Sequence, residues 1–384
     1  MDPQLSGALI KIVASDYPVV KRTRKLLEDE SSRGNIGSSF ITQSFEKETE
    51  FLFSAIIHSK YETIDNMWLI INIPDYQSYD FESIFDLIES IELSTDTILD
   101  RISGKLIETQ LLLNDPIAYK TYSHGHDGQI RIPIPFGGQM EKLNMIHPIC
   151  LNDVITNTKY KITVTLSDPS KWPLKMIKNL NSYHSDTNNL ISILPKYIID
   201  QHIASYMKIE FAGKLELLSK QIFLDTPKRR VLAQDGFHSE ILHSQLHEYT
   251  MIDGCVDETR IPNWSGIPKK IIIKVEANDG KESFQFEDLD RIDIYANGHH
   301  MDKTTPMITQ INHIEEKLNI VSDTIPIYTI LYGDEEIFSF DRIDYISFKL
   351  LSNKSNLSGK VFVWIMTKKV IVGKNSQIYI DPLQ

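Results

Sequence analysis

Period-two alternation is the feature that most constrains this chain. Between Tyr345 and Leu350, the apolar residues Ile346, Phe348 and Leu350 would face one side, and Tyr345, Ser347 and Lys349 the other. That pattern marks a strand with one buried face. It returns in Lys159–Leu166, where Tyr160, Ile162, Val164 and Leu166 share a face, and in Gln129–Phe136, where Ile130, Ile132, Ile134 and Phe136 do. Pro133 and Pro135 remove two backbone donors, which predicts an edge or bulged strand there. Further strands are expected at Met67–Pro74, Ser90–Ser94, Ile98–Ile102, Pro268–Glu276, Arg291–Gly298, Ile325–Tyr332, Lys360–Met366 and Ser376–Ile380. They are short and punctuated by turns, as in a sandwich or barrel. The first half has one clear helix, Ser103–Leu113. Leu106, Ile107 and Leu111 recur at helical spacing, Ser103 can cap the free amides, and Asn114-Asp-Pro116 ends it.

The chain has 384 residues, enough for two or three domains and a sizeable core. A formal net charge of -12 repels phosphate backbones, so direct nucleic-acid binding is not expected. Two cysteines, Cys150 and Cys255, cannot build a disulfide framework and read as small buried hydrophobes made in a reducing compartment. The N-terminal stretch Met1–Ala14 lacks a basic leader and is broken by Lys11, so no signal peptide is expected. No apolar run approaches the ~18 residues that span a bilayer.

No cluster of residues demands catalysis. His238, His243 and His247 have ligand-like spacing, but a metal site needs a converging third ligand, and they read as a polar face. His124 and His126 read as an exposed turn. His299-His300 follow the turn signal Asn297-Gly298 and read as a loop tip. Glu287–Asp293 lacks the ligand order of a calcium loop and reads as a solvated edge. Asn263, Asn353 and Asn356 head glycosylation triplets, which without a leader read as chance matches. Of the four tryptophans, Trp68 and Trp364 lie in expected strands and read as core, whereas Trp172 and Trp264 do not. The expected catalytic, metal and cofactor sets are therefore empty.

Several phrases resemble, in the same order, those of the double jelly-roll major capsid proteins of nucleocytoplasmic large DNA viruses. Ser6–Ala14 opens the chain, followed by Asp65–Pro74. Ile132-Pro-Ile-Pro-Phe136, Ile146–Leu151 and Lys159–Leu166 then succeed one another. Ile222-Phe-Leu-Asp-Thr-Pro-Lys-Arg-Arg-Val-Leu-Ala-Gln234 is similar to the phrase closing the family's first jelly roll, and His238–His247 to the opening of the second. Ile292–His300, Ile325–Tyr332, Ser339-Phe-Asp-Arg-Ile-Asp344 and Val361–Gly373 follow. The family's paired glycines are replaced by Ser94–Thr97, its aromatic pair by Gly137-Gly138, and its terminal asparagines are absent.

The resemblance implies an all-β fold of two tandem eight-stranded antiparallel jelly rolls with a few short helices in loops. It divides the chain into an N-terminal arm (1–35), a first jelly roll (36–226) and a second (227–384). It implies a structural protein, not an enzyme: a homotrimer of pseudo-hexagonal outline that tiles an icosahedral shell in the virion, made in the host cytoplasm. Partners would be further copies of itself, minor capsid or penton proteins, and an inner membrane reached through the basic arm at Lys21–Lys25. Two alternatives stay open: a transient scaffold of the poxvirus type with the same fold, and a β-sandwich carbohydrate-binding module. A cupin-type metal enzyme would need histidines on the apolar strand faces, and the strong strands carry none.

Overall fold

A computed structural model of the chain describes residues 38–57, 63–72, 79–81, 83–114, 117, 119–120, 129–136, 149–150, 159–167, 174–177, 215–223, 237–261, 267–278, 282–315, 325–332, 343–374 and 377–381. The expected arm, the boundary at 226/227 and Phe338–Arg342 lie outside them. The chain runs β1 (Ser38–Ser44), β2 (Glu46–Lys47), β3 (Leu52–Ile56), β4 (Thr63–Asn72), β5 (Tyr79–Phe81), β6 (Ile88–Ser94), β7 (Ile98–Ile102), α1 (Gly104–Asn114), β8 (Gln129–Pro133), β9 (Ile149–Cys150), β10 (Lys161–Leu166), β11 (Leu174–Ile177) and β12 (Leu215–Ile222). Then come β13 (Phe237–Met251), β14 (Cys255–Ile261), β15 (Ile267–Asn278), β16 (Leu289–Ala296), β17 (His299–Thr304), α2 (Pro306–Glu315), β18 (Ile327–Leu331), β19 (Ile346–Ser352), β20 (Ser358–Lys374) and β21 (Gln377–Asp381).

The strands form two antiparallel sandwiches. In the first, the sheet β1-β12-β4-β8 faces β2-β3-β10-β6-β7; in the second, β13-β20-β15-β18 faces β14-β19-β16-β17. The two orders are the same once β1, β3, β4, β6, β7, β8, β10 and β12 are matched in turn to β13 to β20. Four additions among the described residues break the match: β2 on β3, β9 on β4, β21 on β20, and a separate β5–β11 ribbon. The match extends beyond strands. A 3-10 turn precedes β6 (Ile84–Leu87) and another precedes β16 (Phe286–Asp288). One helix bridges β7 to β8 and the other β17 to β18.

Alternation builds both cores. Met67, Leu69 and Ile71 of β4 and Leu215 and Leu217 of β12 share a core with Phe53, Ile91, Leu93, Ile162 and Val164 of the facing sheet. In the second sandwich Ile271, Ile273, Val275, Val361, Val363 and Ile365 meet Ile292, Ile294, Phe348 and Leu350. Ile346, Phe348 and Leu350 are thus buried as expected, although Ser347 on the opposite side is buried too. The proline-bearing β8 stands at the edge of its sheet, also as expected. No helix among the described residues is long and apolar enough to cross a membrane.

Several expectations need correction. Helix α2 was not anticipated, because its apolar residues alternate with Thr, Gln and Asn and its start, Thr305-Pro306, reads as a break. His299 and His300 are strand residues, since the turn uses only Asn297 and Gly298, both at positive φ. Asp293 is buried, with Arg291 Nε at 2.9 Å and His300 Nε2 at 3.4 Å. Cys255 is half-buried rather than core. Trp364 is core, but Trp68 lies half-buried on an outward sheet face with its ring 6.0 Å from that of Phe40.

Helix α1 follows the sequence expectation and adds a tight contact. Ser103 Oγ accepts from Leu106 N at 3.2 Å. A Cβ on Gly104 would collide with the carbonyl oxygens of Phe85 and Ile88. Gly→Ala in a helix ordinarily stabilises by up to ~1 kcal/mol. Here the overlap reverses the sign, and Gly104→Ala should destabilise by about 1–3 kcal/mol, read as a lower urea midpoint.

Candidate functional site

The two sandwiches meet face to face within the chain. The outward side of sheet β13-β20-β15-β18 is apolar: Ile272, Ile327, Phe362, Trp364 and Met366 join the core cluster of the first sandwich. Its inward side is apolar as well. A strand buried on both faces reads as a continuous apolar run, and Ile271–Ile273 and Val361–Met366 are such runs.

Most of the described polar groups crossing this seam form one network built on α1. Lys105 Nζ lies 2.9 Å from Asp86 Oδ1 and 3.0 Å from Glu276 Oε1 on β15, and 5.9 Å from the Phe362 ring centre. Lys274 Nζ lies 2.7 Å from Glu108 Oε2 and 2.9 Å from Glu276 Oε1. Glu108 Oε1 accepts from Ser83 Oγ at 2.8 Å and Tyr119 Oη at 3.4 Å. Two cations thus share three carboxylates across the seam. Farther along, Ser244 Oγ donates to the Arg101 carbonyl at 3.3 Å, and His243 Nδ1 sits 3.6 Å from Asp100 Oδ1.

The protonation energetics follow from burial and pairing. Burial alone would lower the pKa of Lys105, but Glu276, Asp86 and Glu108 hold its ammonium above the ordinary value. Burial would raise Glu276, but Lys274 and Lys105 hold its carboxyl below the usual range. Asp86 goes the other way: burial raises it, and Lys105 offsets this only in part. Tyr119 is pushed up to about 12 by burial and by Glu108.

The histidines and tryptophans weighed from sequence do not converge. His247 stacks beside Tyr249 with centroids 6.5 Å apart, half-buried, its pKa lowered by burial. It is therefore not on a simple polar face, because Tyr249 meets the core residue Phe348 edge-on at 4.6 Å. His124, His126, Trp172, Trp264, Asn263 and the His238 side chain lie outside the described set. Asn353 donates to the carbonyls of Glu287 and Leu289 at 3.5 and 3.4 Å. Among the described residues no three His, Cys, Asp or Glu side chains group as metal ligands.

Two sandwiches of matching strand order, in contact through α1 and through β7 against β13, frame the comparison with known proteins. The chain matches PBCV-1 VP54 fitted into a reconstruction of the virophage Sputnik, with 11% identity, TM-score 0.61, and 90% of this chain and 97% of that one covered. Against the PBCV-1 virus capsid the values are 12%, 0.59, 90% and 97%, and against the Faustovirus major capsid protein 7%, 0.56, 96% and 98%. The chain has the double jelly-roll fold. No protein-family model and no curated protein sequence matches it. In this fold the network found here is the tie between the two jelly rolls, and sequence reading had no signal for it: Lys105 and Lys274 are 169 positions apart, and only topology brings them together.

Breaking one partner of the network should cost far more than removing a pair. Glu108→Ala leaves the Lys274 ammonium under-paired in the seam and should cost about 3–5 kcal/mol, whereas Glu108→Leu with Lys274→Met should be near neutral. Urea unfolding of the three proteins checks this. The pH dependence has a sign. Glu276 has a folded pKa below its ordinary 4.5, so its stabilisation is present above that pH and is lost as pH falls through the folded value. Lys105 has a raised folded pKa, so its contribution is present below pH 10.5 and is lost as pH climbs through the higher folded value. Asp86 opposes Glu276 at acid pH. Melting temperature should therefore fall on the acid side more steeply for the parent than for Glu276→Gln.

Proposed function

We propose that the chain is the structural subunit of a viral capsid, acting as a homotrimer whose six jelly rolls form a pseudo-hexagonal tile. The observation that carries this reading is the duplication of one strand order side by side in a single chain. Three such chains around a three-fold axis present six similar sandwiches. The contact between chains is then heterologous, one surface meeting a different one around a closed ring. Tiling needs no catalytic residue. Shape, edges and interface chemistry set the function.

On this reading the chain resides in the virion shell and touches neighbouring trimers, minor or penton proteins, and an inner membrane through residues 1–35, without direct contact to nucleic acid. The two jelly rolls span 36–226 and 227–384. A transient membrane scaffold of the same fold would trimerise alike and differ in being absent from the finished particle. A carbohydrate-binding module would instead be monomeric or dimeric, with exposed aromatics at one loop end.

Light scattering on the purified chain, with negative-stain imaging of the same peak, tests the proposal. The expected result is a three-chain mass, each chain 44.2 kDa, with a hexagonal outline. A monomer that persists at high concentration contradicts it.

A further inference from the structure

Helix α2 presents an apolar stripe that no described residue of its own chain covers. Met307, Ile308, Ile311 and Ile314 are 70%, 38%, 45% and 64% exposed, four of the large hydrophobic residues exposed among those described. The opposite side of the helix is fixed to its own sandwich. Thr309 and His313 are buried, and Asn312 Nδ2 donates to the Thr329 carbonyl of β18 at 2.8 Å. The stripe is therefore not a misplaced core face.

The internal match says what such a stripe meets. Helices α1 and α2 occupy the same place in the two sandwiches and start alike. Ser103 takes Leu106 N on Oγ (3.2 Å) and Ile107 N on its carbonyl (3.1 Å); Thr305 takes Ile308 N on Oγ1 (3.4 Å) and Thr309 N on its carbonyl (2.9 Å). Aligned on these caps, Met307 stands where α1 has Lys105, Gln310 where it has Glu108, Ile311 where it has Thr109, and Ile314 where it has Leu112. The side that α1 turns to sheet β13-β20-β15-β18 is thus the side that α2 leaves bare.

The surface equivalent to that sheet is the outward face of β1-β12-β4-β8. Its centre carries aromatic and aliphatic side chains on β4, the strand matching β15 with its Lys274 and Glu276, with Glu216 and Lys220 of β12 and Arg131 of β8 flanking them on the same face. Trp68, half-buried, takes an outward position of β4; Ile70, on the same side, is already buried within the chain. Leu218 pairs with Trp68 across the sheet, and Phe40, 61% exposed, packs its ring beside that tryptophan. At the centre of the equivalent contact Met307 stands in place of Lys105 on the helix, and Trp68 with Phe40 lies on the sheet.

We infer that the α2 stripe docks on the Phe40–Trp68–Leu218 face of a second copy of this chain, repeating between chains the contact that α1 makes within one. This rests on the trimer reading and specifies its interface. The two seams then differ in kind. The inner one is locked by a buried ion network, and the outer one is dry and held by apolar burial alone. The outer contact should therefore ignore salt, since exposed ion pairs are screened over ~3 Å at 1 M.

The test uses the full-length chain and two variants, Ile311→Asp/Ile314→Asp on the helix and Phe40→Asp/Trp68→Asp on the sheet. Unfolding curves first establish that each remains folded; if the sheet pair does not, Phe40→Asp alone replaces it. Light scattering should give three chains for the parent, unchanged in 1 M NaCl, and one chain for each variant. An equimolar mixture of the variants should give a two-chain particle, because one intact helix meets one intact sheet and the ring cannot close. A trimeric parent whose variants also trimerise overturns the docking and leaves the trimer standing. A parent trimer that 1 M NaCl dissociates overturns the dry contact, and a monomeric parent overturns the trimer and the docking together.

Discussion

A β-sheet with two apolar faces cannot stand alone in water, and this chain contains one. Sheet β13-β20-β15-β18 sends Ile273, Val363 and Ile365 into its own sandwich and Ile272, Trp364 and Met366 out of it. At roughly 25 cal/mol per Å² of apolar surface, leaving that outward face wet would cost several kcal/mol. The first sandwich must lie against it, and α1 with the turn at Ile84–Leu87 provides the fit. Gly104 lets the helix start against Phe85, and Lys105 and Glu108 then reach Glu276 and Lys274.

The network is better understood as a register device than as a source of stability. Charges drawn out of water repay their desolvation only when fully paired, and two apolar residues of similar size would serve about as well energetically. What the ions add is a single acceptable placement. Sliding α1 along β15 by one turn would leave Lys274 and Glu108 facing hydrocarbon. An apolar contact tolerates such sliding, which suits an interface formed later, between chains already folded.

Much of this could be read from residues. The alternation at Ile346–Leu350 and Tyr160–Leu166 fixed which side faces the core, and Pro133 placed β8 at an edge. Ser103 and Asn114-Asp-Pro116 bounded α1 to within a residue. Continuous runs such as Ile271–Ile273 carry the mark of a sheet covered twice, but from sequence alone they were read only as ordinary strands. Three things stayed hidden, each for a physical reason. The ion network joins residues far apart in sequence, so no local pattern encodes it. Helix α2 has a stripe of isoleucines that looks like a short apolar segment until the sheet beside it is known. Trp68 sits in a strand of good core character, and only strand pairing reveals that it points outward toward Phe40.

The central claim is that one contact is used twice, once within a chain and once between chains. Electron cryomicroscopy of the purified particle tests it most directly. The account expects six sandwiches in a ring, with α2 of each chain lying across the outward face of β1-β12-β4-β8 of the next as α1 lies across β15 and β20 within it. A particle in which α2 faces solvent, or in which like surfaces meet across a two-fold axis, would contradict it.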